Sequence, residues 1–169
     1  LQAVGISLGL IAGAVLVYDL LCRTPLIRDN RVFGAVGFIL IVAAAWGITR
    51  VFTPRAAFLQ VGAMIGTIMA SNVFFRIIPA QRHMLAATKE GRPVDTSYGM
   101  RAKQRSTHNH YLTLPVLFLM LSNHYPLAFG TEFNWVIASL VFIIGVLIRH
   151  FFNTQHARKG SPTWTWLAA

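Results

Sequence analysis

Long apolar runs alternate along this chain with short polar gaps. A helix needs about 20 apolar residues to cross a hydrocarbon core of roughly 30 Å. The runs predict five such spans, at approximately 1–21, 33–52, 57–78, 111–129 and 135–152. The expected fold is therefore all-α, a multi-pass transmembrane helical bundle forming part of one membrane domain over 1–169. In the first span Gly5, Gly9 and Gly13 recur every four residues, a spacing that predicts close approach of a second helix. The third span repeats this with Gly62 and Gly66 and then places Thr67, Ser71 and Asn72 at similar depth. The stretch from Pro79 to His110 reads as a polar loop, with Gly91-Arg92-Pro93 and Tyr98-Gly99 as turn signals. Lys159-Gly160-Ser161-Pro162 reads as a break, and Trp164 with Trp166 opens an expected sixth, truncated span near 163. Leu1 begins inside an apolar run, so both ends read as cuts through a longer protein.

Composition supports a lipid-solvated chain. Hydrophobic residues make up 55% and charged residues only 12%, against about 25% charged in soluble domains. The net charge of +10 could suggest nucleic acid, but the Lys and Arg residues fall in the gaps between apolar runs, and no soluble basic module remains once the spans are removed. Nucleic-acid binding is excluded on that ground. The same charges orient the chain: segments 22–32, 76–111 and 149–169 carry thirteen basic residues, against Arg50 and Arg55 on the opposite side. The positive-inside bias then places 79–110 and the C-terminal end in the cytoplasm, as in a bacterial-type inner membrane. A lone cysteine, Cys22, has no partner for a disulfide or for covalent haem attachment.

Ionisable and amide groups inside spans are costly, which makes them candidates for function. One cluster, Ser106-Thr107-His108-Asn109-His110-Tyr111, enters the fourth span from the cytoplasmic side. Another, Arg149-His150 with Asn153 and His156, ends the fifth on the same side, where 149 and 153 share a helix face. A third, Ser122-Asn123-His124-Tyr125-Pro126, lies at the outer end of the fourth span. His108 and His124 are about 24 Å apart if helical, too far to share one metal. Plain readings stand beside these: Arg149 as a snorkelling cation, His83, His110 and His156 as solvated surface residues, Asn72 as an interhelical hydrogen bond, Asp19 as a partner for Arg23. Pro115 is expected to kink the fourth span.

The stretch His108-Asn109-His110-Tyr111-Leu112-Thr113-Leu114-Pro115, continuing through Phe118-Leu119-Met120 to Ser122-Asn123-His124-Tyr125-Pro126, resembles the membrane-bound urate oxidase (urate hydroxylase) family. So do Gly62-Ala63-Met64-Ile65-Gly66-Thr67-Ile68-Met69 with Asn72-Val73-Phe74-Phe75, and Ile148-Arg149-His150-Phe151-Phe152-Asn153. The resemblance covers essentially the whole chain. It implies a membrane domain of about eight helices joined to a C-terminal cytochrome c domain carrying haem c. It also implies an oxidoreductase that converts urate to 5-hydroxyisourate in purine breakdown and passes electrons to the cytochrome. His110 stands where the family pattern has Asn and His83 where it has Lys, so neither is expected as an essential ligand. Family members carry a further intramembrane histidine on helices N-terminal to this stretch.

Urate is a planar monoanion at neutral pH, and binding it calls for a cation, in-plane hydrogen-bond partners and a flat apolar wall, types that the two cytoplasmic clusters supply. Arg149 is expected to neutralise the anion, with Asn109, Asn153 and Asn72 as further substrate-binding residues and Phe152 as an apolar wall. His108 or His150 is expected to act as the catalytic base, a role suited to a group that titrates near neutrality. Asn123 and His124 mark the outer end, where electrons would leave toward the cytochrome. An alternative reading is a b-type cytochrome module in which His108 and His150 ligate an internal haem b, or in which either pairs with a histidine from the helices N-terminal to this stretch. A third is a transporter or structural scaffold, disfavoured by the lack of broken or repeated helices.

Overall fold

The computed structural model describes residues 2–157 and 162–168, and among these the chain forms helices and turns with no strand. The break expected at 159–161 lies outside the described residues. Helix α1 (Gln2–Leu21) is followed by a 3-10 turn (Pro25–Arg28) and α2 (Asn30–Val51). Asp29 starts α2 by accepting from the backbone N–H groups of Arg31 and Val32, which satisfies two of the orphan donors of the first turn. Thr53-Pro54 ends the run, because a residue before proline avoids the helical region and proline suits the first turn of the next helix. Helix α3 (Pro54–Asn72) then passes through a π-turn (Val73–Ile77) into α4 (Ile78–Lys89). Pro79 carries no N–H, and the wider π-turn just ahead of it takes up the mismatch.

The segment expected as a loop from Pro79 to His110 is mostly helical. Only 90–95 separates α4 from α5 (Thr96–Leu121), with Gly91 at φ +66 in the left-handed conformation that suits glycine. Polar side chains suggested a loop, yet Pro79 sits in the first turn of a helix and Gly99 within one. Asp95 caps α5 by accepting from the Ser97 N–H, and this bond holds its carboxyl below the usual carboxylate range. A 3-10 turn (Ser122–His124), α6 (Pro126–Phe129), α7 (Asn134–His156) and α8 (Trp164–Ala168) complete the fold.

Four helical stretches are long and apolar enough to cross a membrane: Gln2–Leu21, Asn30–Val51, Pro54–Lys89 and Asn134–His156. They match four of the five expected spans. The remaining one, at 111–129, is not a single helix. Residues 111–121, the second half of α5, cover only about 16 Å at 1.5 Å per residue, and the 3-10 turn and the short helix α6 carry the rest. Helix α5 still runs antiparallel to both α3 and α7. Residues pair from Gly62 with Met120 to Asn72 with Asn109 on one side, and from Gly145 with Pro115 to His150 with Tyr111 on the other.

Small residues make the close approaches, though not where the glycine spacing of α1 suggested. A Cβ added at Gly5, Gly9 or Gly13 would meet nothing within 4 Å, so that stripe packs against no described residue. Helix α1 instead joins α3 through Gln60, which accepts from Ser7 Oγ at 2.6 Å and donates to the Ser7 carbonyl at 3.0 Å. A Cβ at Gly145 would stand 2.9 Å from Pro115 Cδ, and one at Gly62 2.9 Å from Met120 Sδ. The proline ring is rigid, whereas the methionine end can swing away. Gly145→Ala is therefore expected to lower stability by about 1–3 kcal/mol, and Gly62→Ala by clearly less, as read from unfolding midpoints in detergent. Equal losses would mean that the α5–α7 contact yields as readily as the α3–α5 one.

Apolar packing concentrates in one half of the bundle, where Ala45, Ile48, Phe58, Val61, Ile65, Leu119 and Phe142 are buried together. The other half is held by polar groups.

Candidate functional site

Asn72 is 2% exposed and bonded through all of its polar hydrogens and its oxygen. Its Oδ1 accepts from Arg105 Nη1 at 3.1 Å, and its Nδ2 donates to Tyr18 Oη at 3.0 Å and to Asn109 Oδ1 at 2.9 Å. Arginine can only donate, so Arg105 fixes which end of the Asn72 amide faces it, and that choice orders the rest. Asn109 spends its own Nδ2 on the Met69 carbonyl at 2.9 Å, in the last turn of α3. With Asn72 donating to its oxygen, the Tyr18 hydroxyl directs its proton to His108 Nδ1, 2.9 Å away. This leaves the remaining imidazole hydrogen on Nε2. The His108 ring stacks on Phe33 with centroids 4.7 Å apart, so α1, α2, α3 and α5 all converge on it.

Asp19 is the counter-charge of this network. Its carboxylate meets Arg105 at 3.0 Å, Arg76 at 2.7 Å and Arg23 at 2.8 Å. The expected Asp19–Arg23 pair is present, but it is the most exposed of three ion pairs. Arg105 is 9% exposed, and its guanidinium also lies over the Tyr18 ring at 5.0 Å. A cation so enclosed is tolerable only because the carboxylate and the Asn72 oxygen take its protons.

A second tyrosine–histidine pair lies across α5. Tyr111 Oη and His150 Nδ1 are 2.9 Å apart, and the His150 ring also faces Trp164 with centroids 6.2 Å apart. His108 and Tyr111 are one turn apart on α5, so this helix carries one member of each pair. Beside His150, the Arg149 Nε is buried with no hydrogen-bond partner. A guanidinium N–H left this way lacks an acceptor, and an anion would supply one. Asn153 follows one turn further on, half-buried.

The structure thus brings His108, Asn109 and Asn72 into one network and places His150, Arg149 and Asn153 in a second group on the same end of the bundle. The Asn72 and Asn109 amides are committed to protein partners, which makes them framework for the site. Asn123 and His124 lie at the opposite end, in the turn after α5, where Asn123 Oδ1 is buried without a partner and His124 is exposed. His83 stacks on Tyr98, and His110 and His156 are exposed. The sequence reading missed Tyr18, Arg76 and Arg105. A signal was present in the spacing, since Asn72 and Arg76, and likewise Arg105 and Asn109, stand four apart and so share a helix face.

His108 and His150 stand in separate surroundings. Their rings contact different partners, Tyr18 and Phe33 for one, Tyr111 and Trp164 for the other. Among the described residues there is also no cluster of three His, Cys, Asp or Glu side chains that could hold an ion.

Comparison with known proteins gives one match: the family model described as urate oxidase N-terminal aligns with residues 1–169. No curated protein and no solved structure matches the chain.

Proposed function

The chain belongs to the urate oxidase N-terminal family, and from that premise we propose that it is the membrane-embedded part of an enzyme that oxidises urate to 5-hydroxyisourate. The reaction consumes urate and water and yields the product, two protons and two electrons. Water adds its oxygen at C5 of the purine. The protein must therefore hold a planar anion, give two protons an exit and pass on two electrons.

The observation that carries this reading is the group around Arg149: a buried guanidinium N–H in want of an acceptor, beside a tyrosine–histidine pair. In the proposal Arg149 takes the charge of the urate anion and Asn153 hydrogen-bonds the ring edge. His150 takes the proton released as water adds, with Tyr111 fixing its ring. The second proton passes to solvent, and His108, whose Nδ1 is taken by the Tyr18 hydroxyl, holds the neighbouring face of α5 in place. An imidazole can take a proton at one ring nitrogen while the other stays bonded to Tyr111.

Four helices of membrane-crossing length support a place in the bilayer. The thirteen-to-two division of basic residues supports a bacterial-type inner membrane with the Arg149 end in the cytoplasm. Electrons leave toward the opposite face, by way of the Asn123–His124 end, to a cytochrome c. A c-type haem supplies one-electron acceptance when bound there, and no residue of this chain is assigned to hold it.

The test is urate-dependent reduction of cytochrome c by membranes carrying the full-length protein. His150→Ala is expected to lower kcat by at least about 100-fold, the lower range for loss of a general base, with Tyr111→Phe intermediate. Full activity in His150→Ala would remove His150 from the chemistry. Urate consumption with no acceptor reduced would remove the electron route.

A further inference from the structure

His150 has one ring nitrogen to offer a substrate. Its Nδ1 is held by the Tyr111 hydroxyl at 2.9 Å. Its Nε2 has no hydrogen-bond partner among the described residues and, unlike Arg149 Nε, is not sealed inside the protein. Besides Tyr111, the ring set against this imidazole is Trp164, with centroids 6.2 Å apart and planes inclined at 48°. Two flat rings at that angle leave a wedge between them. Trp164 is 56% exposed, so the far side of the indole is open. Its neighbour holds it in place: Thr165 is 1% exposed, and its N–H and hydroxyl both donate to the Pro162 carbonyl, at 3.0 and 2.7 Å. That closed turn seats α8 against α7.

We infer that Trp164 is the surface on which the substrate lies, a planar purine anion stacked on the indole with its edge toward His150 Nε2 and Asn153. This rests on the reading of His150 as the base of urate oxidation. Phe152, the wall expected from sequence, stands two positions beyond His150 and so about 200° around α7. Its ring meets Phe151 and His156. Asn153, three positions on, does share the His150 face.

The chemistry of the wedge selects a flat heteroaromatic ring. Stacking uses the faces of such a ring and hydrogen bonding uses its edge, so one ligand meets the indole and the polar groups together. A lipid chain has no plane to present. An interfacial belt accounts for the exposure of Trp164, but not for its place beside the one imidazole whose free nitrogen is open. Stacking also distinguishes substrate from product. Addition of the water oxygen makes C5 tetrahedral, the purine loses its flatness there, and the product leaves the indole more readily than urate does. The contact is therefore a ground-state one, and its loss falls on KM.

The experiment is steady-state, urate-dependent reduction of cytochrome c by membranes carrying the full-length protein with Trp164→Leu or Trp164→Phe. Leucine keeps an apolar interfacial side chain and removes the flat face; phenylalanine keeps a smaller flat face. Trp164 is exposed, so both variants are expected to fold. Trp164→Leu is expected to raise KM about tenfold, the scale of one base–aromatic stack, with kcat within about twofold of the wild type. Trp164→Phe is expected to stay within about threefold of the wild-type KM. Competitive inhibition by xanthine, a flat purine, should weaken in Trp164→Leu in parallel with KM. An unchanged KM in Trp164→Leu would overturn the proposal. Equal losses in the leucine and phenylalanine variants would do the same, by making Trp164 a packing residue. His150→Ala, measured alongside, separates the two readings. Lost turnover there with an unchanged KM in Trp164→Leu defeats the stacking surface alone, and full activity in His150→Ala defeats both.

Discussion

Replacing Arg105 with methionine is expected to lower the unfolding midpoint of the protein more than any other single change among the polar residues of α5, with a loss of about 3–5 kcal/mol. The reason is what the substitution leaves behind. Asp19 keeps Arg76 and Arg23, both partly exposed, but loses its one buried partner. Asn72 Oδ1, in a side chain 2% exposed, loses its only donor. With nothing to fix the Asn72 amide, the bonds to Tyr18 and Asn109 lose their order, and the His108 ring loses its anchor. Urate-dependent activity should therefore fall along with stability. Asp19→Asn is the complementary change, and it should be damaging because Arg105 is then enclosed without a carboxylate. The double variant Asp19→Asn with Arg105→Met should be less destabilised than the sum of the two, since each single change already breaks the same pair. Strict additivity in denaturation would show that the Asp19–Arg105 contact carries no coupling energy.

For Arg149, the expected result is kinetic. Arg149→Gln should leave the unfolding midpoint near that of the wild type, because the Nε has no protein partner to lose. It should lower kcat/KM for urate by on the order of 100-fold, the scale of a charge-assisted hydrogen bond to an anion. Arg149→Lys should recover part of the loss, since lysine restores the charge but not the forked donors. Should the loss fall in KM with kcat unchanged, Arg149 would contribute ground-state binding; a fall in kcat would place its contact in the transition state. A variant with unaltered kcat/KM would separate Arg149 from the substrate altogether. This outcome is independent of the Arg105 prediction, since the two arginines belong to different groups on α5 and α7.

Much of this architecture was legible along the chain. Apolar run length determined four of the membrane-length helices, because the thickness of a hydrocarbon core leaves little freedom in how long such a run must be. The fifth expected span was harder to read. In α5 the polar residues 96–110 continue straight into the apolar residues 111–121 as one helix, and hydropathy alone divides such a helix at the wrong place. Helix α4 was hidden for a related reason: polar composition suggested a loop, while the hydrogen bonds that make it a helix are blind to side-chain polarity.

The sequence by itself also singled out Asn72, Asn109, Arg149 and the histidines, since intramembrane polar groups are too costly to be incidental, but it passed over Tyr18, Arg76 and Arg105. What it could not determine was the pairing. Tyr18 meets His108 across 90 positions and Asp19 meets Arg105 across 86, separations over which no local periodicity carries information. Only the tertiary structure decided that Asn72 spends every polar atom inside the protein while Arg149 Nε is left without a partner. The physical reason is that hydrogen-bond satisfaction is a property of the packed whole: a group's chemistry is written in its side chain, but whether it is used up or left available depends on what the other helices bring to it.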